Sequence, residues 1–266
     1  MHPMLNIAFH VARKAGNFII KNYENKFYLK SNKKKENLFI NNIGKKVKNL
    51  MIDIIHKYYP KHNILCKEFI SDKKEEININ TDDVQWIIDP FDSTLNFIKF
   101  FPHFSVSIAV LVKRKTEIAV VYDPIRNELF SATRGQGAQL NGYRLRCNMF
   151  NNINTTILVT GLFSNYHVDY INLLVKILKK YSDFRYTGSK SLDLSYVAAG
   201  RVDCFFDINI NKNNFICGNL LVSEAGGIFN YCCVNDNIPL NYVVAGNNRI
   251  VQNMHSLMQD YLKKNN

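Results

Sequence analysis

Near Val84 the hydrophobic period of this chain changes, and a chain that obeys two periods has to build two kinds of layer. Before that point Leu5, Ala8, Val11, Ala12, Ala15 and Ile19 recur at helical spacing, and Val47, Leu50, Met51, Ile54, Ile55 and Tyr58 repeat the stripe until Pro60 stops it. Two amphipathic helices are predicted there. The lysine-rich stretch between them, Ser31 to Asn37, reads as an exposed loop or hairpin, and Ser71 to Asp83 as a second polar excursion. From Val84 onward VQWII, HFSVSIAVLV, TEIAVVY, ELFSAT and the turn-bearing RGQGAQLNGYRL have the texture of a β-meander. Beyond residue 150 the pattern alternates. TILVT, DFRYT, VDCFFDI, GGIFN and VVAGN read as strands; Tyr166 to Lys180, Leu192 to Ala199, Phe215 to Glu224 and the segment after Arg249 read as helices. Sheets interleaved with helices predict the α/β class, a layered αβαβα sandwich. With no repeat and no Pro/Gly/Ser-rich linker, residues 1–266 are expected to form one domain, with a helix-pair-plus-meander half over 1–150 and an alternating half over 151–266.

A chain of 266 residues that is 47% hydrophobic can bury a large core without covalent staples. Its six cysteines, Cys66, Cys147, Cys204, Cys217, Cys232 and Cys233, form no C-x-x-C pair and lie away from histidines at zinc-ligand spacing, so a reducing cytoplasm is the expected setting. The N-terminus lacks a signal-peptide pattern, and no stretch reaches the roughly 18 apolar residues of a membrane span, so a soluble cytoplasmic protein with no membrane partner is expected. The formal charge of +12 permits RNA contact or an acidic partner. Against that, the lysines are dispersed, and segments such as NKKKEN, NNINTT and NINKNN fit a coding bias toward Lys, Asn and Ile.

The sharpest local feature is Trp86-Ile87-Ile88-Asp89-Pro90-Phe91-Asp92-Ser93-Thr94, an apolar strand that runs into two carboxylates, a proline and two hydroxyls. Pro90 fixes the backbone so that Asp89, the Phe91 carbonyl and Asp92 can face one point, and hard oxygen ligands are what Mg²⁺ requires. The same residues also suit an ordinary turn leading into a helix N-cap. His56, His62 and His103 have no triad pattern around them and read as surface or supporting residues. Glu224-Ala225-Gly226-Gly227 reads as a helix end, and Gly135 to Gly137 as a hairpin tip.

The segment from Asp89 to Phe97, DPFDSTLNF, resembles the D-P-[IL]-D-G-T-T-N-F signature of the inositol monophosphatase family. FPHFSVSIAV, YDPIRNELFSATRGQGAQLNGYRLR, TGSKSLDLSYVAAGRVD, EAGG and VVAGN extend the likeness over nearly the whole chain. The resemblance implies a homodimeric hydrolase of small phosphomonoesters such as inositol 1-phosphate, in which Mg²⁺ activates water and stabilises the departing alkoxide. It implies Asp89, Phe91 and Asp92 as metal ligands and Thr94 as the hydroxyl that orients the water. Phe91, Asp92, Ser93, Thr94, Arg185 and Asp207 then match substrate-binding positions, Asp207 standing where Glu is usual.

Other positions depart from the family pattern. Its T-x-x-D aspartate aligns with Gly44, the first glutamate of its acidic pair with Lys67, and the aspartate of its W-D-x-A-A-G stretch with Asn214. Glu68, beside Lys67, would face the opposite way in extended backbone, and Ser93 replaces a glycine. Of five carboxylates, at 44, 67, 89, 92 and 214, two persist, and with Lys67 the formal charge goes from −5 to −1. Two unit charges at 4 Å interact by about 4 kcal/mol at an effective dielectric near 20, so paired divalent ions need that lost negative charge. Lys67 reads either as a solvated lysine or as a point charge for phosphate.

Within the family the likeness is to a bacterial branch that works with RNA polymerase and the Nus factors in ribosomal-RNA transcription antitermination and ribosome biogenesis. The expectation is therefore a Nus-type factor with a vestigial phosphatase site. A working Mg²⁺-dependent inositol-1-phosphate phosphatase is the alternative.

Overall fold

The computed structural model describes residues 2–25, 33–66, 84–149, 155–161, 168–181, 183–208, 215–233 and 241–264. The two helical stripes become α1 (Pro3–Asn25) and α2 (Lys33–Tyr58). The second begins earlier than its apolar pattern suggested, so the lysine-rich stretch is helical from Lys33 and is not a loop. Lys, Glu and Leu are good helix formers, and no Gly or Pro interrupts them before Gly44. Ser71 to Asp83 lies outside the described residues.

The meander forms as expected. Strands β1 (Asn63–Cys66), β2 (Val84–Asp92), β3 (Ser105–Val112), β4 (Lys115–Asp123), β5 (Glu128–Thr133), β6 (Gly137–Leu140) and β7 (Tyr143–Arg144) lie in sequence order in one sheet. All neighbours are antiparallel except the parallel pair β1 and β2. A short helix, α3 (Thr94–Ile98), sits between β2 and β3. In the second half β8 (Ile157–Thr160), β9 (Asp183–Arg185), β10 (Cys204–Ile208), β11 (Ile228–Cys233) and β12 (Asn241–Gly246) make a sheet in the order β11-β12-β10-β8-β9. The helices between them are α4 (Val168–Lys180), α5 (Lys190–Ala198) and α6 (Ile216–Glu224), and α7 (Asn248–Lys264) closes the order.

Strand alternation divides the apolar side chains into three cores. Trp86 and Ile88 of β2 pack with Ala8, Val11, Ala15, Val47 and Met51 of α1 and α2. Ile87, on the opposite face, enters a core with Leu192, Leu194 and Val197 of α5, Leu220 and Leu221 of α6, and Phe205 of β10. Cys204 and Phe206 face away from that core and meet Leu173 and Ile177 of α4 and Met254 and Met258 of α7. The layers therefore run α1/α2, first sheet, α5/α6, second sheet, α4/α7, which is the αβαβα sandwich.

The middle layer is the tightest. A β-carbon added at Gly218 of α6 would lie 2.2 Å from Leu194 Cδ1 and 2.7 Å from Leu194 Cβ, and a Cβ cannot rotate out of the way. Gly218→Ala is expected to destabilise the protein by about 1–3 kcal/mol through overpacking, read as a lower urea midpoint with an unchanged m-value.

Candidate functional site

In β2 the alternation that sends Ile87 toward the middle layer carries Asp89 to the same face, opposite Ser107 of β3. The ladder then breaks between Asp89 and Asp92, where Pro90 has no N–H to give. The Phe91 N–H donates to Asp89 Oδ1 at 3.2 Å. The Phe91 ring is buried edge-on against Phe97, 4.8 Å between centroids, with Phe104 nearby, so apolar packing fixes the turn from behind. Ser93 follows in the left-handed region at φ 66°, ψ 62°. That is the conformation for which the family signature has glycine, and a side chain there costs about 1–2 kcal/mol. Thr94, exposed, starts α3.

Asp92 ends β2, opposite Ser105 of β3, and its Oδ2 accepts the Ser189 hydroxyl at 2.8 Å and the Ser191 N–H at 3.0 Å. Ser189 is the N-cap residue of α5 yet makes no side-chain cap of its own. A carboxylate from another layer takes that role, and a negative group is favoured at a helix N-terminus. Asn96 ties the same regions together, its Nδ2 donating to the His103 carbonyl at 2.7 Å and the Thr187 carbonyl at 2.8 Å. Beneath them the Thr187 hydroxyl donates to Asp193 Oδ1 at 2.6 Å, and His103 Nε2 stands 3.9 Å from that oxygen, both residues buried. Burial pushes the Asp193 carboxyl above the usual carboxylate range; His103 and Thr187 oppose the shift, and the charge of Asp92 adds to it.

Ser93, Thr94, Leu95, Asn96, Phe101, Tyr186, Thr187 and Gly188 line an open cleft of about 470 Å³. Leu95, Phe101 and Tyr186 are exposed and give it an apolar rim. Gly188 has φ 86°, and a Cβ there would come within 3.2 Å of both Asn96 side-chain polar atoms, so the backbone closes directly on that side chain.

The other expected residues are placed as follows. Arg185 is exposed, and its guanidinium is taken by Asp183 of the same strand and by the Phe184 carbonyl. Asp207 is buried on the middle-layer face of β10, and the Lys190 ammonium lies 2.6 Å from its Oδ2 as a contact ion pair rather than an aligned hydrogen bond. Burial raises the Asp207 carboxyl and Lys190 pulls it back. Gly44 is buried within α2 and brings no carboxylate. Lys67 and Asn214 lie outside the described residues, as does Glu68. Of the imidazoles, His62 accepts from Trp86 Nε1 at 3.0 Å and stacks on Tyr59, a supporting role.

Among the described residues no three His, Cys, Asp or Glu side chains converge to hold a metal. Asp89, the Phe91 carbonyl and Asp92 are hard donors, but one Asp92 oxygen is already committed to α5. The described residues therefore do not fit a two-ion Mg²⁺ centre. Reading along the chain missed Asn96, Thr187, Ser189, Lys190 and Ser191. The signals for them were their places in the family-like stretches DPFDSTLNF and TGSKSLDLSYVAAGRVD, and Thr187-Gly188-Ser189 as a turn and N-cap sequence before a helical run. It also missed that Glu224 accepts the Gly135 and Gly137 N–H groups at 2.8 Å each, joining the helix end to the hairpin tip.

This fold, with an Asp-Pro-Phe-Asp turn at the end of a meander strand facing the N-terminus of a middle-layer helix, is that of a sugar-phosphatase-type sandwich. The chain belongs to the inositol monophosphatase family, whose model matches residues 1–263. It is 51% identical to Nus factor SuhB of Escherichia coli K12 over 98% of both chains, and 42% identical to Nus factor SuhB of Pasteurella multocida, again over 98% of both. Among solved structures, the extragenic suppressor protein suhB of Bartonella henselae matches with a TM-score of 0.79 at 28% identity, covering 97% of this chain and 100% of that one. Members of the family are generally Mg²⁺-dependent. No described helix is long and apolar enough to cross a membrane.

Two outcomes are expected. Asp92→Ala removes a charge-assisted cap and should cost about 1–3 kcal/mol in urea unfolding, equally in EDTA and in millimolar Mg²⁺. A loss seen only with Mg²⁺ would make Asp92 a metal ligand first. For Asp193 the folded state holds the proton more tightly than the unfolded chain. Its stabilisation is complete below the unfolded carboxyl value and is lost as pH rises through the raised folded value. Asp193→Asn cannot ionise and still accepts from Thr187, so its Tm should rise relative to the parent as pH is brought from the acid range toward neutrality.

Proposed function

We propose that this chain is a SuhB-like Nus factor that acts with RNA polymerase and the other Nus factors in ribosomal-RNA transcription antitermination and ribosome biogenesis, on a phosphatase scaffold whose metal site is degenerate. The observation that carries the reading is chemical: position 44 is glycine, Lys67 and Asn214 stand at carboxylate positions, and the Asp92 and Asp207 side chains are answered by protein groups. Near-half identity to Nus factors over almost the full length supports the partner side of the reading. The protein acts in the cytoplasm as a homodimer, and its +12 charge suits contact with RNA.

A second reading keeps catalysis. Asp89 and Asp92 still flank the Phe91 carbonyl, and Mg²⁺ can be held by one or two carboxylates together with substrate phosphate. In that reading Thr94 orients the water, Ser93 and Thr94 meet the phosphate, and Arg185 and Asp207 meet the rest of an inositol 1-phosphate. Its weakness is the missing base partner at Gly44.

Purified protein with millimolar Mg²⁺ and inositol 1-phosphate is expected to release phosphate no faster than buffer, while co-purifying with RNA polymerase and Nus factors from its own cells. Phosphate release abolished by Asp92→Asn would establish the second reading. Failure to associate with polymerase or Nus factors would remove the first.

A further inference from the structure

Strands β9, β8 and β10 run parallel, so Arg185, Gly161 and Asp207 gather at their carboxyl ends. In sheets of this kind ligands bind in the crevice outside those ends. Here a side chain of the protein already fills that place. Lys190, the first residue of α5, reaches Asp207 Oδ2 at 2.6 Å, and its ammonium also stands 5.7 Å from the Phe215 ring centroid. The chain crosses closely above the pair: a Cβ at Gly161 would lie 2.5 Å from Asp207 Oδ2 and 2.6 Å from Lys190 Cε. Ser189 and Ser191, on either side of Lys190, are both held by Asp92, so the lysine springs from a fixed point. Two-thirds of its side chain is buried, and Asp207 is almost entirely so.

We infer that Lys190 is a built-in occupant of the polar subsite around Asp207, closing that carboxylate to the hydroxyls of a polyol ligand. The inference rests on the preceding reading of the cleft as a phosphomonoester site turned to other use, and it adds what keeps the site shut. A hydroxyl ligand must displace an ammonium that is paired, partly desolvated and over an aromatic face, and must then leave that ammonium without its counter-ion. Neutral hydroxyls cannot compensate for this loss, because breaking one side of a buried charge pair is strongly unfavourable. Lys190 thus sets specificity against polyols by exclusion.

The test compares the parent protein, Lys190→Ala and Lys190→Met by calorimetric titration with myo-inositol, and by phosphate release from inositol 1-phosphate with Mg²⁺. Lys190→Ala empties the space and frees the carboxylate, so its affinity for myo-inositol should rise at least tenfold. Lys190→Met keeps the bulk and should show no gain. If Lys190→Ala does not fold, Lys190→Ser, which leaves a hydroxyl beside Asp207 and still empties the space, takes its place with the same expectation. Equal affinity in the parent and the emptied variant, or an equal gain in Lys190→Met, overturns the inference. The two readings fail separately. Hydrolysis by the parent would remove the vestigial-site reading and leave the lysine's role standing if the emptied variant still gains. Absence of any gain would remove the lysine's role and leave an inactive parent explained by its missing carboxylates.

Discussion

One carboxylate holds the two halves of the molecule in register at the site. Asp92 is the last residue of β2, in the first sheet, and the Ser189 hydroxyl and Ser191 N–H that it accepts belong to the start of α5, which is packed against the second. Helix N-termini carry unsatisfied N–H groups and a partial positive charge, so the bond is favourable without any ion present. The positions of Ser189, Lys190 and Ser191 follow from it. So does the closeness of Thr187 to Asn96, since the loop entering α5 must run beside the loop that leaves β2.

A hydrolytic Mg²⁺ centre needs negative charge left unanswered by the protein, and the charge chemistry here runs the other way. Asp92 is answered by α5, Asp207 by Lys190, Asp193 by Thr187 with His103 nearby, and Glu224 by two backbone N–H groups of a hairpin tip. Each pairing lowers the penalty of a buried or half-buried carboxylate and makes it a poorer ligand for a cation that arrives later. The same pairings that stabilise these carboxylates therefore compete with a cation for them.

The layers were legible because hydrophobic period records which face of an element is buried, and here nearly every element keeps its period. CFFDI, for example, places Phe205 and Asp207 on one face and Cys204 and Phe206 on the other. The start of α2 was not legible, because a solvated lysine-rich run has no apolar stripe to betray its helix. The turn from Asp89 to Thr94 was legible as a turn through its composition and its family likeness. Its partners were not, since Asp92 and Ser189 are 97 residues apart and a serine before a helical run looks like a cap complete in itself. Lys190 was hidden for a related reason. A lysine at the start of a helix reads as solvated, and only the close approach of Gly161 and the inward face of β10 turn it toward Asp207.

The cleft, lined by uncharged side chains, presents a defined surface. Leu95, Phe101 and Tyr186 stand exposed around it, the first two carried by the segment between β2 and β3, which Phe91, Phe97, Phe104 and Asn96 hold in place, and Tyr186 by the loop between β9 and α5. Rigid apolar side chains on a preorganised backbone lose little conformational freedom when a protein surface covers them. Catalysis by this family's chemistry demands charge, and two of its five carboxylate positions remain acidic here, whereas docking demands shape and apolar groups, three of which stand exposed. The substitutions at 44, 67 and 214 change charge and leave Leu95, Phe101 and Tyr186 untouched, which is compatible with a factor that works through its surface.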